Sequence, residues 1–206
     1  MTSLLIVNTG GIVTGDLDTP RRGVSSIYVE DGLVAELDSR RSDADTIVDA
    51  RGLLVTPGLI DTHVHPTFGD FTPTQNSIGW MRAYLHGGVT SLVSAGELHV
   101  PGLPLEAPDA KLFKYLAVLA KRCGDNLTGE LPRLYAGALL LAPGLEEGDF
   151  DEAAAEGIRC AKFIFYPYGD DDREAENYVR WCKEREIVVK IHSGGVSRSG
   201  VSRPAG

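Results

Sequence analysis

Two rhythms of apolar and polar residues divide the chain near residue 55. Before it the apolar runs are short and set apart by turn residues: Leu4 to Val7, Ser26 to Val29, Leu33 to Leu37 and Thr46 to Val48 predict strands. Glu30-Asp31-Gly32 predicts the turn of a hairpin, and Ala50-Arg51-Gly52 a turn after the last strand. After Pro57 the pattern becomes apolar strand, loop, amphipathic helix, repeated. It predicts strands over 58–63, 89–95, 134–141, 158–165 and 187–192, with helices over 75–86, 109–123, 149–156 and 171–185. In the second helix Leu112, Leu116, Leu119 and Cys123 form one stripe, Lys111, Lys114 and Lys121 lie off it, and Gly124 stands where a C-terminal cap is expected. The fourth helix opens on Asp170, Asp171 and Asp172, negative charge at the positive end of a helix dipole.

Strands alternating with helices imply an α/β protein with a parallel sheet, open or closed into a barrel. In either topology ligands gather at the carboxyl ends of the strands, so chemistry-bearing residues there carry the functional reading.

Composition narrows that reading. A chain of 206 residues is long enough for one sizeable core or two small ones. Its net charge of -9 excludes nucleic acid or an anionic membrane as partners held by bulk electrostatics, which leaves a small molecule as the expected partner. The three cysteines, Cys123, Cys160 and Cys182, lack C-x-x-C spacing and read as buried free thiols of a reducing, cytoplasmic compartment. Leu4 to Val7 is too short for the apolar part of a signal peptide. No run approaches the roughly 20 apolar residues of a membrane span.

The stretch from Thr56 to Pro66 reads T-P-G-L-I-D-T-H-V-H-P and closes the first barrel-type strand. In an extended chain the spacing of His63 and His65 turns both rings to one face, with Asp61 on the same face, and two imidazoles side by side suggest a metal. The fifth strand ends in His192, the position on its strand that His63 and His65 occupy on theirs, so His192 is read as a further ligand. On the fourth strand Lys162 sits in the middle of the apolar run Ile158 to Phe165. A protonated lysine there costs several kcal/mol of desolvation. Either a salt bridge relieves that charge or the amine is modified into an anion able to ligate metal.

Taken together, the D-T-H-V-H strand, the lysine in A-K-F-I-F-Y-P and the later I-H-S-G-G strand resemble the amidohydrolase superfamily, metal-dependent hydrolases on a (β/α)8 barrel. Within it, L-H-G-G-V-T-S and S-A-G-E-L-H-V-P-G are similar to the enamidase type, which opens a cyclic enamide lactam. The resemblance implies residues 1–56 as part of an incomplete N-terminal β-sandwich, 57–192 as a partial (β/α)8 TIM-type barrel of about five strands, and 193–206 as a disordered tail. It implies that His63 and His65 hold the more buried of two divalent metal ions, zinc at both sites or iron at one, that a carboxylated Lys162 bridges them, and that His192 holds the second. In enamidase the bridge is a glutamate, and an ungapped match puts Phe163 there; Lys162 resembles the carboxylated lysine of dihydroorotases and hydantoinases. The implied reaction is hydrolysis of a carbon–nitrogen bond in a cyclic amide, by a protein that is a homo-oligomer when full length. In the family a further histidine follows the sixth strand and a general-base aspartate the eighth, so both are expected beyond Gly206 and the chain is expected to be inactive alone. A one-metal deaminase of the same superfamily and a non-catalytic metal-binding remnant are the alternatives.

Four other readings complete the set. His99, in the loop after the second strand, and Tyr166, after Lys162, are candidates for substrate contact, against a solvated histidine and an aromatic packed on its own barrel. His86 before Gly87-Gly88 is expected to cap a helix end. Asp61 and Lys190, each two residues before a ligand histidine, are expected to form a buried ion pair beneath the metals.

Overall fold

The structure is a computed structural model that describes residues 2–73, 75–105, 109–164, 166, 168 and 173–192, with the backbone of Gly195–Val196 and Ser202–Arg203. It divides into two compact units, Met1–Gly58 and Leu59–Gly206. In the first, β1 (Ser3–Val7), β2 (Ser26–Glu30), β3 (Leu33–Leu37) and β4 (Thr46–Asp49) form one sheet in the order β3-β2-β1-β4. Strands β1, β2 and β3 pair antiparallel and β4 runs parallel to β1. The β2–β3 hairpin closes through Asp31 at φ 48° and Gly32 at φ 80°, two successive left-handed residues whose twist matches that of the strands. Leu5, Ile27 and Tyr28 are the large apolar residues this sheet buries, Leu5 and Tyr28 on one face and Ile27 on the other.

The second unit holds six short parallel strands in two sheets. Strands β5 (Leu59–Val64), β6 (Val89–Ser94) and β7 (Arg133–Tyr135) lie in the order β7-β6-β5, and β8 (Leu139–Leu141), β9 (Cys160–Phe163) and β10 (Val188–Ile191) in the order β8-β9-β10. The run 134–141, expected as one strand, is thus two. Between them Gly137 takes φ 82°, and a Cβ there would lie 2.5 Å from the Ala117 carbonyl oxygen. The chain leaves one sheet and enters the next at the only kind of residue that fits.

Helices α1 (Trp80–His86), α2 (Ala110–Asp125), α3 (Glu147–Ala155) and α4 (Arg173–Glu184) separate the strands. The helix expected from residue 75 starts five residues later. Its first part is instead a small antiparallel pair, Phe71–Thr72 with Ser77–Ile78, and Asn76 and Gly79 take φ 50° and 78°, which no helix tolerates. Asp70 then caps α1, its carboxylate accepting the Met81 N–H at 2.9 Å. His86 lies in the last turn of that helix.

Helix α2 corrects the expected stripe. Leu112 and Leu119 are 40% and 50% exposed, and the buried face is Ala110, Phe113, Lys114, Ala117, Ala120 and Gly124. Small residues win because the helix lies close on its sheet: a Cβ at Gly124 would come 2.6 Å from the Ala136 Cβ. Gly124 is therefore a close-approach residue inside the helix, and Asn126 is the cap. Of the cysteines, all free, only Cys182 is fully buried; Cys123 and Cys160 are half-buried. Asp170, Asp171 and Asp172 lie outside the described residues, and α4 instead carries Glu174 and Glu176 in its first turn. In the tail the backbone of Gly195–Val196 pairs antiparallel with Ser202–Arg203, and the rest lies outside the described residues. No helix among the described residues is long and apolar enough to cross a membrane.

The main core joins Leu139, Leu141, Phe150, Ile158, Ala161, Tyr178 and Ile187, each full burial contributing about 1.5–3 kcal/mol for the large apolar side chains. At its edge Asp149 is a buried hinge of charge. It closes the capping box of α3 with Glu146, receives Lys111 Nζ at 2.7 Å and Lys114 Nζ at 2.9 Å, and Lys114 also meets Glu152. Burial raises the Asp149 pKa, but the Lys111, Glu146-amide and Lys114 hydrogen bonds outweigh it and hold the carboxyl below its ordinary value. The pair therefore stabilises the fold above the ordinary carboxylate range, and that contribution is lost as pH falls through the lower folded value. Asp149→Ala leaves the 3% exposed Lys114 with Glu152 as its one ion-pair partner among the described residues and is expected to cost about 3 kcal/mol in urea unfolding at pH 7. A loss below about 1 kcal/mol would show that the network carries little of the stability.

Candidate metal centre

The histidine pair forms because β5 ends between its members. His63 is in the strand and His65 just beyond Val64, whose buried side chain anchors the strand end beneath them. Asp61 Oδ1 accepts the His63 backbone N–H at 2.9 Å. The two rings stand edge to face with centroids 5.3 Å apart. His65 Nδ1 lies 2.5 Å from the Gly96 carbonyl oxygen. A carbonyl can only accept, so in the neutral ring Nδ1 carries the proton and Nε2 keeps a free lone pair. Burial is the main cause that lowers the His65 pKa; desolvation and then the Lys162 and Lys190 charges lower that of His63. Both rings are thus biased to the neutral, ligating form.

Lys162 and Lys190 are register partners on β9 and β10. Lys190 donates to the Thr62 carbonyl at 2.8 Å and the Ser94 carbonyl at 2.7 Å, the last turns of β5 and β6. The expected Asp61–Lys190 ion pair does not form. Asp61 is occupied by the His63 amide, no ion pair joins the two among the described residues, and backbone carbonyls at the strand ends satisfy the ammonium. Lys162 is 1% exposed, with no hydrogen bond or ion pair among the described residues. Its pKa is lowered by burial first and by the Lys190 charge second. Of the two reliefs the sequence left open, the structure contains no salt bridge to Lys162 among the described residues.

His192 follows β10 directly, its backbone N–H held by the Phe163 carbonyl at 3.1 Å, and its charge adds to those lowering the His63 pKa. His99 is drawn in as well: its ring centroid is 4.8 Å from that of His65. With His63 and His65 it lines a pocket of about 330 Å³ whose other walls include Gln75, Trp80 and Tyr84. Tyr166 instead stacks on Phe113 with centroids 6.2 Å apart, in an apolar cluster with Leu140 and Ala142. Among the described residues no three His, Cys, Asp or Glu side chains converge as a metal site by themselves.

Glu97, two residues before His99 in the turn that follows β6, is a buried carboxyl, 1% exposed. The wall formed by Gln75, Trp80 and Tyr84 was also not legible, since its residues were taken for one helix. The turn S-A-G-E, an acid and two small residues directly after an apolar strand, is the signal that marked the first.

No family model matches the chain. In sequence and fold the chain matches the amidohydrolase superfamily along nearly its whole length. It is 38% identical to enamidase of Eubacterium barkeri over 98% of this chain and 53% of that protein. The crystal structure of enamidase, a member of that superfamily, superposes with a TM-score of 0.81 at 35% identity, again over 98% of this chain and 53% of the other. Dihydroorotase of Thermococcus kodakarensis is 29% identical over 79% of this chain and 41% of its own length. D-hydantoinase shares the fold with a TM-score of 0.58 at 20% identity, over 93% of this chain and 40% of that one. The chain thus spans about half the length of enamidase and less of the others.

Replacing Lys190 tests the strand-end brace. Lys190→Met removes two charge-assisted hydrogen bonds and is expected to cost about 1.5–3 kcal/mol in urea unfolding. It also removes the positive neighbour that depresses Lys162, so the Lys162 pKa, followed by carbon-13 NMR of labelled lysine, is expected to rise. Unchanged stability and an unchanged Lys162 titration would together dismiss the brace.

Proposed function

We propose that this chain carries the N-terminal share of a binuclear metal-dependent hydrolase that cleaves a carbon–nitrogen bond in a cyclic amide. In this reading residues 57–192 are a partial (β/α)8 barrel and the N-terminal sheet is part of a β-sandwich. His63, His65, Lys162 and His192 are the metal-facing set. The observation that carries it is Lys162: a buried lysine with no hydrogen bond or ion pair among the described residues, its pKa lowered by burial, within electrostatic reach of His63 and His65, whose pKa values burial also lowers. The similarity to enamidase supports the reaction class.

The donor set fits two divalent ions. His65 offers Nε2 because Nδ1 is committed to Gly96, and His63 stands edge-on to it. A neutral Lys162 amine attacks carbon dioxide; the new N–C bond gives a carbamate, and the amine proton leaves to solvent. The product is an anion where the free lysine would be a cation, and burial among cationic and metal charge then favours it. Lys190 stays the charged partner, held by the Thr62 and Ser94 carbonyls, and keeps Lys162 neutral until it reacts. Divalent metal held by His63, His65, Lys162 and His192 would supply Lewis acidity to an amide carbonyl and lower the pKa of a bound water. His99, beside His65 and on the pocket wall, is placed to meet the ring substrate.

The test is metal stoichiometry with bicarbonate. Loaded with zinc in carbon-13 bicarbonate, the protein is expected to show a carbamate carbon resonance and to bind two zinc ions per chain. Lys162→Ala is expected to lose the resonance and at least one zinc. An unchanged zinc count in Lys162→Ala, with no carbamate signal in the parent, would overturn the proposal.

A further inference from the structure

Glu97 has no part in the donor set, yet it ends a chain of hydrogen bonds that begins on a donor. The His65 Nδ1–H meets the Gly96 carbonyl at 2.5 Å. The Gly96 N–H donates to Ser94 Oγ at 3.1 Å, and Ser94 Oγ donates to Glu97 Oε1 at 2.8 Å. Ser94 is completely buried and Glu97 is 1% exposed. The turn itself is pinned: Ala95 N–H donates to the Val64 carbonyl at 2.8 Å, Gly96 takes φ 101°, and a Cβ there would collide with Leu140.

A buried carboxyl is a costly way to fill such a position, worth several kcal/mol against an apolar side chain. Only Oε1 is used in the relay. Thr67 and the Gly137 amide lie close enough to favour the anion, but no hydrogen bond of good geometry reaches Oε2 or the Thr67 hydroxyl among the described residues. Packing therefore does not account for Glu97, whereas orientation of Ser94 does: a hydroxyl whose proton is given to Glu97 must turn a lone pair to the Gly96 amide.

We infer that Glu97 is a positioning residue for His65: acting through Ser94 and the Gly96 carbonyl, it fixes the ring as the Nδ1–H tautomer and reserves Nε2 for a metal. Its consequence for metal rests on the reading of His65 as a ligand; its geometry does not. Hydrogen-bonded partners of this kind orient ligand imidazoles in metal sites generally.

The experiment is a long-range proton–nitrogen correlation of the metal-free 206-residue chain labelled at histidine, with His65 assigned by loss of its signals in His65→Gln. At pH 7.5 the parent is expected to show His65 protonated at Nδ1, against the Nε2–H form that free imidazole side chains favour. Glu97→Gln keeps an acceptor oxygen for Ser94 and is expected to keep the tautomer. Glu97→Leu and Ser94→Ala, checked for folding by circular dichroism, are expected to give mixed tautomers and to weaken zinc binding, measured by chelator competition, about 10–100-fold. Should Glu97→Leu not fold, Ser94→Ala decides. A parent His65 protonated at Nε2, or a folded Glu97→Leu or Ser94→Ala protein that keeps the parent tautomer, overturns the inference. A tautomer change in a protein that binds no zinc supports the positioning role and removes the metal reading; weaker zinc binding without a tautomer change overturns the positioning role alone.

Discussion

Two lysines stand side by side on adjacent parallel strands, and burial disfavours the charge on both. Neighbouring strands lie about 4.8 Å apart, so like charges borne by residues in register disfavour one another. The register Lys162↔Lys190 fixes the conflict, and the hydrogen bonds resolve it. Lys190 has two carbonyl acceptors and Lys162 has none among the described residues, so Lys190 is the better satisfied of the two as a cation. The chemistry of Lys162 thus follows from where its neighbour's ammonium is tied.

Ser94 joins that lysine layer to the histidines above it. Its carbonyl accepts Lys190, and its hydroxyl links the Gly96 amide to Glu97, whose turn holds the His65 ring. One residue at the end of β6 therefore fixes both the cation beneath the site and the tautomer of a ring within it. Strand ends suit this double task, because their last carbonyls have no ladder partner and remain available as acceptors.

What was legible in the sequence followed from local pattern. Period and turn residues located every long strand to within a few residues, and the H-x-H spacing brought His63 and His65 together. What was not legible depended on tertiary approach. The leucines of α2 gave the clearest stripe, but Gly124 against Ala136 put the alanine face inward. Gly137 broke a continuous apolar run because Ala117 comes too near for any side chain. Lys190 was assigned to Asp61 by layer logic, and nothing in the sequence indicates that free carbonyls of two other strands would compete for it.

The site also divides its work between two kinds of structure. His63, Lys162 and Lys190 lie on strands, and His65 and His192 one residue beyond strand ends, where ladder hydrogen bonds fix their positions. The pocket wall beside the imidazoles comes instead from residues 72–84, a small antiparallel pair running into a seven-residue helix, and from His99 in a loop. Substitution in that wall changes the shape offered to a ligand without disturbing a ladder, whereas substitution at a strand end alters the donor set itself. On physical grounds the strands fix the side chains that could bind a metal, and the wall shapes the space beside them. That wall begins where the expected helix failed to form: Asn76 and Gly79, by leaving helical φ, open the space that Gln75 and Trp80 line.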